Sequence, residues 1–161
     1  MIPQVYEVTK IGNGLLYVMP KPSSEWLKED VHYLSSIGIN KVVSLLETTE
    51  EYELGLQKEQ NELHHLGIKY LSFPIKDRGL SQITPFNELV NSLYKELVSG
   101  QDIAIHCRAG IGRTGMLACC LLIKDQYSAQ AAIDMVSAAR GVSIPDTQEQ
   151  YDFICDYEQR V

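Results

Sequence analysis

The sequence predicts an α/β fold in three layers, a central, mainly parallel sheet of about five strands flanked by helices. Two observations predict it. Short apolar runs bounded by Gly, Pro or Asn alternate with longer segments of helical spacing, the pattern of strand–crossover–strand units. One of the helical segments, residues 116–123, is apolar on every side, and a helix of that kind is stable only inside a molecule.

The elements follow in order. Two strand-like pieces, residues 6–11 and 15–19, flank Gly12-Asn13-Gly14, a turn suited to an antiparallel ribbon. Ser23 and Ser24 can cap a first helix with Leu27, Val31 and Leu34 on one face, ending at Gly38. Residues 41–46 read as a buried strand, and an acidic helix runs from there to about Leu66 and stops at Gly67. Residues 70–75 form a further strand. Thr84-Pro85 marks a helix start, and Phe86, Leu89, Val90, Leu93 and Leu97 keep helical spacing after it. Residues 102–106 are a short strand ahead of the apolar helix. Ser128 and Thr147 open the last two helices. In such a fold, ligands sit beyond the carboxyl ends of the strands. Two of those ends are chemically loaded, the one leading to Asp77 and the one leading to Cys107.

The bulk properties narrow the function. The 161 residues suit one domain with one core, and residues 1–161 read as a single catalytic domain. The net charge of −7, with Lys and Arg scattered, argues against nucleic acid and membrane surfaces as partners, since both are held by basic stripes or clusters. The N-terminus has no basic region followed by an apolar run, and no apolar stretch is long enough to span a bilayer, so a cytoplasmic location is expected. Cys107, Cys119, Cys120 and Cys155 match no zinc spacing, and a disulfide framework is unexpected in a domain with a full core. No metal or cofactor is expected.

The informative segment is His106-Cys107-Arg108-Ala109-Gly110-Ile111-Gly112-Arg113-Thr114-Gly115, between a strand and the apolar helix. Two interior glycines let the backbone of residues 108–113 curl into a cradle of N–H groups, backed by the positive end of a helix. Arg113, where loop becomes helix, can clamp two phosphate oxygens with its fork. The field that holds a phosphate dianion also favours a thiolate, so Cys107 at the base of the cradle is the candidate nucleophile. Thr114 is placed to donate a hydrogen bond to its sulfur. The segment is not the nucleotide-binding loop, because no lysine follows a glycine.

Its spacing resembles the Cys-x5-Arg signature of protein tyrosine phosphatases, in the longer form His-Cys-x-x-Gly-x-x-Arg-Thr-Gly, with every fixed position filled. Asp77, thirty residues before Cys107 in Phe73-Pro74-Ile75-Lys76-Asp77-Arg78-Gly79, matches the acid of small dual-specificity phosphatases, which the chain resembles over nearly its whole length. The resemblance implies the protein tyrosine phosphatase-like fold and no cofactor. It implies hydrolysis of phosphotyrosine, and of phosphoserine and phosphothreonine, through a cysteinyl-phosphate. Phosphorylated proteins or peptides would be the substrates, and phosphate, sulfate or vanadate should bind the loop. Arg108, Ala109, Gly110, Ile111, Gly112 and Arg113 would form the phosphate site, with Asp77 as general acid. Two other readings keep the same loop: an RNA 5′-phosphatase or phosphoinositide phosphatase, and a phosphoprotein-binding module without catalysis.

Weaker signals surround this site. Asp146 and Gln150 stand where larger tyrosine phosphatases carry two water-managing glutamines; Asp146 departs from that pattern and either positions water or caps the last helix. Glu47, at a strand end, either buttresses Arg113 or is a plain surface acid. Cys119 and Cys120 read as small buried hydrophobes or as partners that could protect Cys107 from over-oxidation. Tyr6, Tyr52, Tyr94 and Tyr127 are candidate substrate contacts.

Overall fold

Gly12, at φ +58°, reverses the chain between β1 (Tyr6–Ile11) and β2 (Gly14–Met19), which pair antiparallel. The structure is a computed structural model and describes residues 2–161. β3 (Lys41–Ser44), β4 (Lys69–Ser72) and β5 (Ile103–His106) complete one five-stranded sheet in the order β1-β2-β5-β3-β4. All pairings beyond the first hairpin are parallel, with Ile103 of β5 opposite Leu16 on one side and Lys41 on the other. The carboxyl ends of β2, β3, β4 and β5 therefore point to one edge of the molecule, where their loops meet.

Alternation along the strands splits the core between the two faces of the sheet. Leu16, Val18, Ile103 and Ile105 face one way, and Tyr17, Met19, Val42 and Ala104 the other. The second set is covered by α1 (Leu27–Ser36) and α3 (Glu59–His65) through Val31, Leu34 and Leu63. The first is covered by α4 (Ile83–Val98), α5 (Gly112–Lys124), α6 (Ala129–Arg140) and α7 (Gln148–Arg160). Every residue of α5 from Gly112 to Ile123 is buried, because α5 packs on the sheet and is itself covered by α4, α6 and α7. Ser128 and Thr147 cap α6 and α7 as their sequence positions predict.

Five expectations change. The cap residue of α1 is Trp26 with no side-chain cap, so neither Ser23 nor Ser24 takes that position, and β3 stops at Ser44, short of residue 46. The acidic segment after β3 is two short helices, α2 (Thr48–Glu53) and α3, because Gly55 turns the chain at φ +69°. β4 ends at Ser72 instead of running to Ile75, although the Phe73 and Ile75 N–H groups still donate to the Ser44 and Leu45 carbonyls beyond its end. Helix α4 begins at Ile83 with Gln82 as its cap residue, so Thr84 lies in the first turn and not at the cap.

Candidate active site

The loop after β5 is fixed from outside as well as by its own sequence. Gly110 sits at φ +73°, and a Cβ there would lie 2.5 Å from the Met19 carbonyl oxygen and 2.8 Å from the Pro20 nitrogen. Only glycine lets the loop come this close to the end of β2. The Lys21 N–H donates to the Arg108 carbonyl at 3.1 Å, and Arg140, from the end of α6, donates to the Ala109 carbonyl at 2.9 Å. The Arg140 guanidinium also lies 4.7 Å over the ring of Tyr6. Carbonyls are thus pulled outward. None of the backbone N–H groups from Arg108 to Arg113 donates to a protein acceptor among the described residues. Cys107, 3% exposed, lies at the start of this loop, and the Thr114 hydroxyl donates to its sulfur at 3.0 Å.

Arg113 is almost fully buried, with its end-on fork engaged by protein. Nη1 and Nη2 donate to the two carboxylate oxygens of Glu50 at 2.6 and 3.0 Å, and Nη1 also donates to the Ile75 carbonyl at 2.8 Å. Burial works against the Glu50 carboxylate, yet the Arg113 bonds, the Glu47 N–H and the charge of Arg108 outweigh it and hold Glu50 below the ordinary carboxylate range. The second Nη2 hydrogen points to Asp77 Oδ1 at 3.1 Å. Nε has no protein partner among the described residues, so the side-on edge of the guanidinium, Nε with Nη2, is the part that can meet an anion. Asp77 is half exposed and also lies 3.9 Å from Arg108 Nε. Arg108 itself pairs with Glu50.

Behind the loop, His106 is fully buried, with Nδ1 3.1 Å from the Cys107 carbonyl and Nε2 2.6 Å from Glu59 Oε2. Both ring nitrogens face acceptors. Burial disfavours the imidazolium, but the Glu59 charge and its hydrogen bond prevail and push the His106 pKa up. The backbone of the nucleophile is thus tied to α3.

A family model described as "Polymorphic toxin system, DSP-PTPase phosphatase" matches residues 18–126, a span that takes in Asp77, Cys107 and Arg113. The chain belongs to the DSP-PTPase phosphatase family. It is 32% identical over 140 residues to protein tyrosine phosphatase domain-containing protein 1 of Bos taurus, an alignment covering 80% of this chain and 18% of that protein. It is 28% identical over 137 residues to cyclin-dependent kinase inhibitor 3 of Sus scrofa, covering 84% of the chain and 65% of the relative. Kinase-associated phosphatase, with serine in place of its catalytic-site cysteine, superposes with a TM-score of 0.88 at 22% identity, over 99% of this chain and 96% of that one. That likeness establishes the protein tyrosine phosphatase-like fold.

Within this site, the loop, Thr114, Arg113 and Asp77 come together, and the weaker candidates divide. Glu47 does not buttress Arg113. It is the cap residue of α2, sharing a capping box with Glu50, and Glu50 is the acid that reaches the guanidinium. Asp146 does not cap α7 with its side chain; Thr147 does, and Asp146 pairs with Arg78 at 3.0 Å. Gln150 is fully buried, its Oε1 accepting from the Asp146 and Thr147 N–H groups and its Nε2 donating to the Gly79 carbonyl. Cys119 and Cys120 are free thiols whose pKa burial pushes well up, which suits inert core residues. Glu50, Glu59 and Arg140 do not stand out in the sequence. The acid-rich stretch from Glu47 to Glu62 offers several equivalent candidates, and only the capping-box spacing of Glu47 and Glu50 distinguishes one of them.

Among the described residues no helix is long and apolar enough to cross a membrane.

Proposed function

We propose that this phosphatase hydrolyses phosphate monoesters on protein side chains, phosphotyrosine and also phosphoserine and phosphothreonine, through a cysteinyl-phosphate on Cys107. The observation that carries this reading is the row of N–H groups from Arg108 to Arg113 without a protein acceptor, in the loop that starts at Cys107, whose sulfur accepts from the Thr114 hydroxyl. In the first step the thiolate of Cys107 attacks phosphorus while the P–O bond to the leaving group breaks. The loop amides and the Nε–Nη2 edge of Arg113 hold the three non-bridging oxygens. To receive the phosphate, Arg113 must release Asp77, and the freed Asp77 in its acid form hands its proton to the leaving oxygen. In the second step Asp77 takes a proton from water as that water attacks phosphorus and breaks the P–S bond. The Thr114 hydroxyl stabilises the departing thiolate.

Glu50, paired with Arg113, keeps the guanidinium oriented, so binding requires only that phosphate take the place of Asp77 at Nη2. The net charge of −7 and the absence of a basic stripe favour protein substrates over RNA ends or lipid headgroups.

Phosphate release from an aryl phosphate tests the reading. Cys107→Ser is expected to abolish turnover while vanadate binding persists, and wild-type turnover in that variant would overturn the mechanism. Asp77→Ala should slow poor leaving groups by about 10²–10⁴-fold and good ones far less. Rates on a phosphotyrosine peptide, a triphosphate-ended RNA and an inositol lipid headgroup, compared side by side, identify the substrate class. Release from none of them leaves a binding module.

A further inference from the structure

The segment carrying the candidate acid is fastened to a part of the chain almost seventy residues away. Arg78 follows Asp77 directly and holds φ +61°, a conformation unusual for a side-chain-bearing residue. Its guanidinium reaches across to Asp146 at 3.0 Å. One residue further, the Gly79 carbonyl accepts from Gln150 Nε2 at 3.2 Å. Gln150 is 0% exposed and touches three loops at once. Its Oε1 accepts from the Asp146 and Thr147 N–H groups, closing the capping box of α7. Its amide also packs on Gly112, where an added Cβ would come within 2.9 Å of both Gln150 Oε1 and the Asp146 Cβ. The Gln150 amide is instead committed to backbone groups of residues 79, 146 and 147, and the Asp146 carboxylate pairs with the Arg78 guanidinium.

From these contacts we infer that Gln150, Asp146 and Arg78 form a clip that sets the position of Asp77 against the phosphate loop. They are positioning residues, and they do not act on water. The inference rests on the proposed role of Asp77 as general acid. Gly112 gives the clip its reference point: the surface that holds the acid segment is the one that carries the first turn of α5, next to Arg113. The exposed Arg78–Asp146 pair alone is a weak fastening, as surface ion pairs are. The buried amide of Gln150 supplies the specific, directional contact, and the two act on adjacent residues of one short segment.

Gln150→Glu separates the clip from the fold. A glutamate at the third position of a helix still accepts the two N–H groups and keeps the capping box, while its carboxylate faces the Gly79 carbonyl without a proton to donate. Arg78→Asp breaks the outer pair at a position whose φ aspartate tolerates, and Arg78→Asp with Asp146→Arg restores opposite charges. For Gln150→Glu and Arg78→Asp we expect turnover of alkyl or other poor-leaving-group phosphates to fall about three- to thirtyfold. Aryl phosphates with good leaving groups should change less than about twofold, with recovery in the charge-swapped double variant; losses of this size lie below those for removing the acid outright. Amide hydrogen exchange over residues 76–80 should quicken in the single variants while that of residues 107–113 stays unchanged.

Equal losses on good and poor leaving groups would overturn the inference. So would a burst of leaving group followed by a steady state slower than that of Asp77→Ala, because hydrolysis slowed beyond the loss of Asp77 itself would return Gln150 and Asp146 to water. Unchanged exchange over residues 76–80 would overturn it without reference to activity. The proposed function fails separately, when Cys107→Ser retains turnover or Asp77→Ala shows no dependence on leaving group.

Discussion

Glu50 and Glu59 are the two buried acids that determine how charge is balanced around the phosphate loop, and their partners make opposite predictions for pH. Glu50 has a folded pKa below its ordinary 4.5, so its contribution to stability is complete above that value and is lost as pH falls through the folded one. His106 has a folded pKa above its ordinary 6.5, so the contribution it draws from Glu59 is complete below 6.5 and is lost as pH rises through the folded value. Both contributions are whole between 4.5 and 6.5. Urea unfolding across pH should therefore give Glu50→Gln a shallower acid limb and His106→Gln a shallower alkaline one. Glu59→Ala leaves an imidazole in a dry site without its partner and should cost about 3–5 kcal/mol in the same measurement. Glu50→Gln should also loosen Arg113 and weaken vanadate binding by roughly tenfold or more, the usual consequence of losing a charged hydrogen bond. The thiols separate as sharply: iodoacetate should label Cys107 in the native protein and leave Cys119 and Cys120 untouched until unfolding, as mass spectrometry can read.

The strand–loop–helix unit of β5 and α5 works because both of its ends are immobile. β5 is buried on both faces and α5 is buried all round, so the five residues between them cannot relax without disturbing the core. Gly110 is the residue on which this depends, since its φ of +73° and its approach to Met19 and Pro20 each exclude a side chain. Gly110→Ala is expected to lower stability by about 1–3 kcal/mol and to abolish detectable phosphate binding, checked by thermal unfolding with and without phosphate. Arg140 completes the element from the other side. It closes α6, ahead of the left-handed Gly141, and draws the Ala109 carbonyl away from the cradle.

Across the whole molecule, the parallel arrangement of β2, β5, β3 and β4 gathers four loops at one edge. Each contributes something different: Pro20 and Lys21 a wall for the loop, α2 the acid Glu50, the segment after β4 the acid Asp77, and the segment after β5 the nucleophile. A phosphate held by the loop and Arg113 is linked to all four through the Lys21–Arg108, Arg113–Glu50 and Arg113–Asp77 contacts and should stabilise the fold as one unit. Inorganic phosphate at a hundred times its dissociation constant is expected to add about 2.7 kcal/mol to the unfolding free energy, and Arg113→Ala should remove that gain in a phosphate-dependent thermal shift.

The chain by itself was enough to identify the strands, the buried α5, the phosphate loop with Cys107, Arg113 and Thr114, and the spacing of Asp77. The strands, α5 and the loop come from periodicity, glycine placement and a contiguous motif, which act between near neighbours in sequence, whereas the spacing of Asp77 comes from the resemblance to small dual-specificity phosphatases. The partner of Arg113, the tie between His106 and Glu59, the role of Arg140 and the contacts of Asp146 and Gln150 could not be reached that way. The decisive contacts join residues tens of positions apart, and among the many acids between Glu47 and Glu62 the packing of α2 and α3 brings Glu50 to Arg113 and Glu59 to His106. A motif states which groups react, because reactivity is a property of neighbouring atoms. What orients those groups is decided by where distant elements come to rest.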